Sequence, residues 1–125
     1  MNNTNTRQLI AVVDDDRSIQ SALQDLLESV GLLSECYGSA EEFLVSDQLN
    51  QTACLVLDIR MPGMSGLDLQ AKLKTEGRRI PIIFITARGD TQTETQAMKA
   101  GALGFLSKPF DDEVLLERVR AALKA

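Results

Sequence analysis

The chain has 125 residues, 44% of them hydrophobic, and a formal net charge of −5, figures that suit one soluble domain built around one core. It contains no histidine, which excludes Ser-His-Asp chemistry, His-ligated zinc and a phosphohistidine relay through this chain. The acidic balance argues against a direct grip on nucleic acid, which rests on Lys and Arg. No apolar run approaches the roughly 20 residues of a membrane span, and "MNNTNTRQ" lacks the layout of a secretory signal, so the expected location is cytoplasmic.

Residues 1–7 read as a disordered polar tail ahead of a single domain over 8–125. "LIAVV" (9–13) predicts a first strand, which runs directly into Asp14, Asp15 and Asp16. Three acids before a helix serve either as its cap or as chemistry, since a carboxylate suits a helix N-terminus. Ile19, Ala22, Leu23, Leu26, Leu27 and Val30 then follow the spacing of one buried helix face, and Gly31 stops that helix. "LLSECY" (32–37) predicts a second strand, with Ser34 and Glu35 marking it as an edge. "SAEEFLVSD" opens a helix with a Ser39 to Glu42 capping box. "ACLVLD" (53–58) is the third strand, and "SGLDLQAKLKTEG" the helix after it, with Ser65 three residues before Asp68. "IIFIT" (82–86) is the fourth strand.

The helix that follows, "GDTQTETQAMKAG", is the weakest in the chain. It has no apolar residue from Asp90 to Gln96, which leaves Ala97, Met98 and Ala100 to anchor it. "ALGFL" (102–106) predicts a fifth strand, in which Leu103 and Phe105 share a face, and "DDEVLLERVRAALKA" closes the chain as a helix. Regular strand-helix alternation implies an α/β fold, a doubly wound, mostly parallel sheet of five strands with five helices on its two faces.

Such sheets place ligands beyond the carboxyl ends of their strands. Strand one ends there on Asp14, Asp15 and Asp16, strand three on Asp58 and strand four on Thr86, and Lys108 follows strand five. If strands one and three are neighbours, roughly 4.8 Å apart, Asp58 converges on the first aspartates. Two carboxylates about 5 Å apart repel by roughly 3 kcal/mol at an effective dielectric near 20. Mg²⁺ compensates such a site directly, and Lys108 adds a fixed positive charge. A phosphoryl group on Asp58 then fits between metal, lysine and the Thr86 hydroxyl.

Four blocks, "VVDDD", "LVLDIRMPGMSGLDL", "IIFITARGD" and "KAGALGFLSKPF", in this order and spacing, make nearly the whole chain resemble a response-regulator receiver domain of two-component signalling. It most resembles receivers that precede a LuxR-type helix-turn-helix domain. The resemblance implies a flavodoxin-like receiver fold with strand order 2-1-3-4-5. It implies Asp58 as phosphoacceptor, with Thr86 and Lys108 acting on the phosphoryl group, and Thr86 and Phe105 as the switch pair. It also implies Mg²⁺ held by Asp14, Asp15, Asp58 and the Arg60 carbonyl, with Asp15 a direct ligand and Asp14 acting largely through water. The partners it implies are a sensor histidine kinase, a second copy on phosphorylation, and a DNA-binding output domain beyond this chain, with no membrane or direct nucleic-acid contact. A cis Lys108-Pro109 bond belongs to the same set of expectations. The function implied is a signalling switch, probed through helix four, strand five and helix five, rather than an enzyme acting on a separate substrate.

Plainer readings stand beside these. Asp16 is a helix cap before it is a ligand, Phe105 is part of the core, and "RMPGMSG" is first of all a turn. A rival from another class uses Asp14 and Asp16 as the nucleophile and acid/base of a haloacid-dehalogenase-type phosphatase, but it gives no role to an aspartate ending strand three. Arg60 and Arg88 lie two residues beyond Asp58 and Thr86, and Arg60 is expected to pair with the carboxylates in competition with Mg²⁺. With strand one between strands two and three, Cys36 and Cys54 are separated by about 9.6 Å, two strand spacings. That exceeds the reach of a disulfide, so both should be free thiols.

Overall fold

The apolar runs become strands because β-branched and aliphatic side chains pack well on a pleated surface buried on both sides. The computed structural model describes residues 8–87 and 90–124 and arranges the strands as one parallel sheet in the order β2-β1-β3-β4-β5. The strands are β1 (Leu9–Val13), β2 (Leu33–Tyr37), β3 (Thr52–Asp58), β4 (Ile82–Thr86) and β5 (Gly104–Ser107). They alternate with α1 (Arg17–Ser29), α2 (Ala40–Leu44), α3 (Gly66–Thr75), α4 (Thr91–Lys99) and α5 (Asp112–Lys124), and a short 3-10 turn, Leu49–Gln51, leads into β3. The expected tail at 1–7 lies outside the described residues, as does Arg88.

Alternation along each central strand divides the core in two. Ala11, Val13, Leu55, Leu57 and Phe84 face α2, α3 and α4, where Phe43, Leu69, Leu73 and Ala97 close the layer. Ile10, Val12, Val56, Ile83 and Ile85 face α1 and α5, against Leu23, Leu27, Leu115 and Val119. Both edges are half wet, with β2 and β5 only partly buried.

Three sequence expectations need correction. In α1 only Leu23 and Leu27 are fully buried, while Ala22 and Val30 of the expected stripe are exposed, because α1 covers the edge of the sheet rather than its middle. Ser39 caps α2 by accepting from the Glu42 N–H, but the Glu42 carboxylate turns back to the Gly38 N–H at 3.1 Å, so the box closes one residue early. The box at α3 is complete, with Ser65 and Asp68 each accepting from the other's N–H. Strand β5 starts at Gly104, since the Ala102 N–H is still engaged by the Ala97 carbonyl at the end of α4. Leu103 therefore lies just before the strand, 40% exposed, although its N–H already donates to the Ile82 carbonyl of β4 at 2.8 Å and it stays on the side of Leu73 and Phe105.

Helix α4 is held as lightly as its composition implies, though by one fewer side chain. Ala97 is fully buried, whereas Met98 is 43% exposed. Part of the anchorage is polar: the buried Gln70 side chain of α3 donates to the Ala97 carbonyl at 3.1 Å.

The cysteines are free, and β1 separates them, with Cys36 paired beside Val12 and Cys54 beside Ile10. Burial pushes the Cys54 thiol up to about 12 and, with a smaller contribution from Glu35, raises Cys36. Thiolate is the reactive species. A thiol titration without reductant should therefore leave Cys54 unmodified in the folded protein and count two thiols after denaturation. A count of zero after denaturation would contradict the strand order.

Candidate functional site

Register builds the site. Val13 pairs with Leu57, which sets Asp14 beside Asp58 at the carboxyl ends of β1 and β3. Asp58 pairs with Ile85, and Thr86 with Ser107, so Thr86 and Lys108 follow as the next two steps across the sheet. Strand order and register together thus gather on one edge residues that the chain separates by up to 94 positions.

Asp14 is fully buried, with two partners for its carboxylate: Oδ1 accepts from the Asp16 N–H at 2.9 Å, and Oδ2 from the Lys108 ammonium at 2.9 Å. Its backbone is fixed as well, because the Gln20 amide of α1 donates to the Asp14 carbonyl at 2.6 Å and the Asp14 N–H donates to the Tyr37 carbonyl. Asp58 is 5% exposed and lies farther from the same ammonium, at 3.8 Å, with the Arg60 N–H at 3.4 Å from its Oδ1. Asp15 is exposed beside them. One oxygen from each of Asp14, Asp15 and Asp58 falls within 4.8 Å of the others.

Charge is therefore unbalanced, with three carboxylates around one lysine. Burial, then the Asp14 charge, pushes the Asp58 carboxyl up to about 6, against the weaker pull of Lys108. A divalent cation held by these oxygens would remove that excess, and a hard, oxygen-binding ion fits such a donor set. The Lys108 N–H donates to the Thr86 carbonyl at 2.7 Å, which fixes the start of this residue at the site, and Lys108-Pro109 is cis as expected.

Asp16 is a cap: its Oδ1 accepts from the Ser18 N–H at 2.8 Å and the Ile19 N–H at 3.4 Å. Arg60 does not behave as expected. Its side chain makes no ion pair with Asp14, Asp15 or Asp58 among the described residues. Its charge is felt instead at the α4 cap, Asp90, whose carboxyl is held below the usual range first by the Thr93 N–H and in smaller part by Arg60. Phe105 is half-buried against the core, its ring 6.2 Å from that of Phe84.

The loop after Asp58 depends on Gly66. A Cβ there would lie 2.3 Å from the Asp58 carbonyl oxygen and 3.0 Å from the Ile59 Cα, backbone atoms that cannot swing aside. Gly66→Ala should cost about 1–3 kcal/mol, the usual range for overpacking, and should weaken divalent-ion binding by displacing Asp58. Urea unfolding and calorimetric titration check both, and wild-type values for the pair would refute the close-approach argument.

Comparison with known proteins agrees with this geometry. The response regulator receiver domain family matches residues 10–120. The chain belongs to that family. It is 49% identical over 116 residues to the response regulator protein TodT of Pseudomonas putida, covering 93% of this chain and 51% of TodT. It is 50% identical over 117 residues to Nodulation protein W of Bradyrhizobium diazoefficiens, covering 94% of this chain and 52% of the relative. The chain thus spans about half the length of these relatives. Among solved structures, the response regulator StyR superposes with a TM-score of 0.88 at 46% identity, covering 94% of this chain and 60% of StyR. FixJ-N superposes with a TM-score of 0.83 at 34% identity, covering 99% and 96%. The fold is that of receivers, and the phosphatase reading finds no support: Asp16 is a cap, and the family is one of regulators. Among the described residues, no helix is long and apolar enough to cross a membrane.

Proposed function

We propose that this receiver takes a phosphoryl group onto Asp58 from the phosphohistidine of a sensor kinase and thereby controls an output, in the cytoplasm. The observation that carries the reading is the gathering of Asp14, Asp15, Asp58 and Lys108 on one sheet edge. Asp14, Asp15, Asp58 and the Arg60 carbonyl would hold Mg²⁺, which when bound neutralises charge that builds on the transferring phosphoryl oxygens.

The chain's own groups supply the rest. An Asp58 oxygen attacks phosphorus as the histidine nitrogen leaves, giving an acyl phosphate. Lys108 is already near enough to both Asp14 and Asp58 to move toward the added oxygens. Thr86, 1% exposed at the end of the neighbouring strand, offers a hydroxyl donor on the same edge. Its strand face continues to Phe84 and, across the pairing, to Phe105. Drawing Thr86 toward the phosphoryl group gives Phe105 room to turn inward, and the lightly anchored α4 lies against the same layer. The surface of α4, β5 and α5 is then the readout, for a second copy or for a transcriptional output domain. Hydrolysis of the acyl phosphate resets the switch, so the chemistry acts on the chain itself.

Incubation with Mg²⁺ and a small phosphoramidate donor tests this. One phosphoryl adduct, labile to hydroxylamine, should form on Asp58 and be lost in Asp58→Asn. An adduct elsewhere, or none at all, would overturn the reading.

A further inference from the structure

We infer that Glu41, on α2, is a positioning residue for the loop that carries the Arg60 carbonyl; the inference rests on the Mg²⁺ reading above. The loop from Ile59 to Ser65 must present a backbone carbonyl toward the carboxylates while its own N–H groups stay satisfied. Its inward side is anchored by burial, with Ile59 7% and Met61 9% exposed in the α2–α4 layer. Its far end is anchored by the Gly66 N–H, which donates to the Ile59 carbonyl at 2.9 Å, and by the capping box of α3.

The outer side, around Gly63 and Met64, is held from a different element. The Glu41 carboxylate accepts from the Met64 N–H at 2.9 Å, a link across 23 residues. A second observation marks the same cradle: a Cβ on Gly63 would lie 2.7 Å from Glu41 Oε2, so the carboxylate rests directly against the loop backbone. Gly63 also has φ 78°, a conformation that favours glycine. Helix α2 can serve as the fixed end because Ala40 and Phe43, on either side of Glu41 and Glu42, are fully buried. Strand β2 contributes no chemical group to the sheet edge, and the helix that follows it thus acts through the loop.

Glu41 could act by its acceptor oxygen or by its charge, and two substitutions separate these. Glu41→Ala removes both, whereas Glu41→Gln keeps an acceptor oxygen and removes the charge. Mg²⁺ affinity is measured by calorimetry, and protection of the Met64 amide by hydrogen exchange without metal. Glu41→Ala should lower Mg²⁺ affinity by about 3- to 10-fold, the effect of one net hydrogen bond, and should speed exchange at Met64. Glu41→Gln should stay within about 2-fold of wild type in affinity and keep Met64 protected, since an amide oxygen replaces the carboxylate acceptor. Unchanged Mg²⁺ affinity in Glu41→Ala, or equal losses in both variants, would overturn the inference. Failure of the wild type to bind Mg²⁺ would instead count against the metal reading itself.

Discussion

Replacing Lys108 with alanine is expected to lower the stability of the metal-free protein by about 3 kcal/mol, the lower end of the cost of leaving one member of a buried ion pair alone. The reason is Asp14 rather than Asp58. Asp14 is fully buried and takes the ammonium at 2.9 Å, while Asp58 is 3.8 Å away. Without Lys108, Asp14 keeps the Asp16 N–H on Oδ1 but loses the compensating charge on Oδ2. The low end of the range applies because that one hydrogen bond survives. Asp14→Asn added to Lys108→Ala should recover most of the loss, since the buried charge is then gone. A double-mutant cycle in urea reads this coupling. Mg²⁺ should also stabilise Lys108→Ala, as a second cation at the same oxygens. A loss below about 0.5 kcal/mol, the level of an ordinary surface change, would show that Asp14 does not depend on the lysine.

The arrangement of the strand-end residues was legible from sequence because two periodicities converge. Apolar runs of strand length fix where β1, β3 and β4 stop, and parallel pairing brings those stops to one edge. Asp58 beside Asp14 follows from strand order together with where the two apolar runs stop. The parts that were not legible depend on side chains choosing among partners at similar distance. Lys108 reads in sequence as a positive charge shared among the carboxylates, yet the fold sets it 2.9 Å from Asp14 and 3.8 Å from Asp58. Arg60 lies two residues beyond Asp58, yet among the described residues its side chain makes no ion pair with the three carboxylates, and its charge contributes only a minor part of the lowering at Asp90. Glu42 passes over Ser39 for Gly38, and Glu41 finds a loop 23 residues on, neither of which has a spacing rule. Gln70 was hidden for a related reason: a buried amide in an amphipathic helix has no periodic signal, and only the carbonyl of Ala97 explains it. The end of α1 was not legible because Val30, at its C-cap, is 38% exposed although it continues the apolar spacing.

Asp58→Asn is expected to abolish phosphoryl acceptance and also to make the metal-free protein more stable above about pH 6. The folded Asp58 carboxyl sits at about 6, raised from 3.8 by burial and by Asp14. A raised carboxyl means that folding favours its protonated form. Below pH 4 both states are protonated and the group costs nothing. Between about 4 and 6 the unfolded chain ionises while the folded one retains the proton, so stability falls as pH rises. Above about 6 the cost is complete. At 1.36 kcal/mol per pH unit the gap from 3.8 to about 6 corresponds to at most about 3 kcal/mol. Solvent reaching the strand end beside the exposed Asp15 screens part of this charge, so about 1–3 kcal/mol is expected. The asparagine variant has no such charge, and Asp14 retains Lys108. Its melting temperature at pH 7.5 should therefore exceed the wild type's, and the two should converge near pH 4. Saturating Mg²⁺ should narrow or reverse the difference, because the wild type gains binding energy that the variant lacks a carboxylate to share. If the variant melts below the wild type at pH 7.5 without metal, Asp58 is not a strained charge in the resting protein. The energy that phosphorylation or metal binding releases must then come from another part of the site.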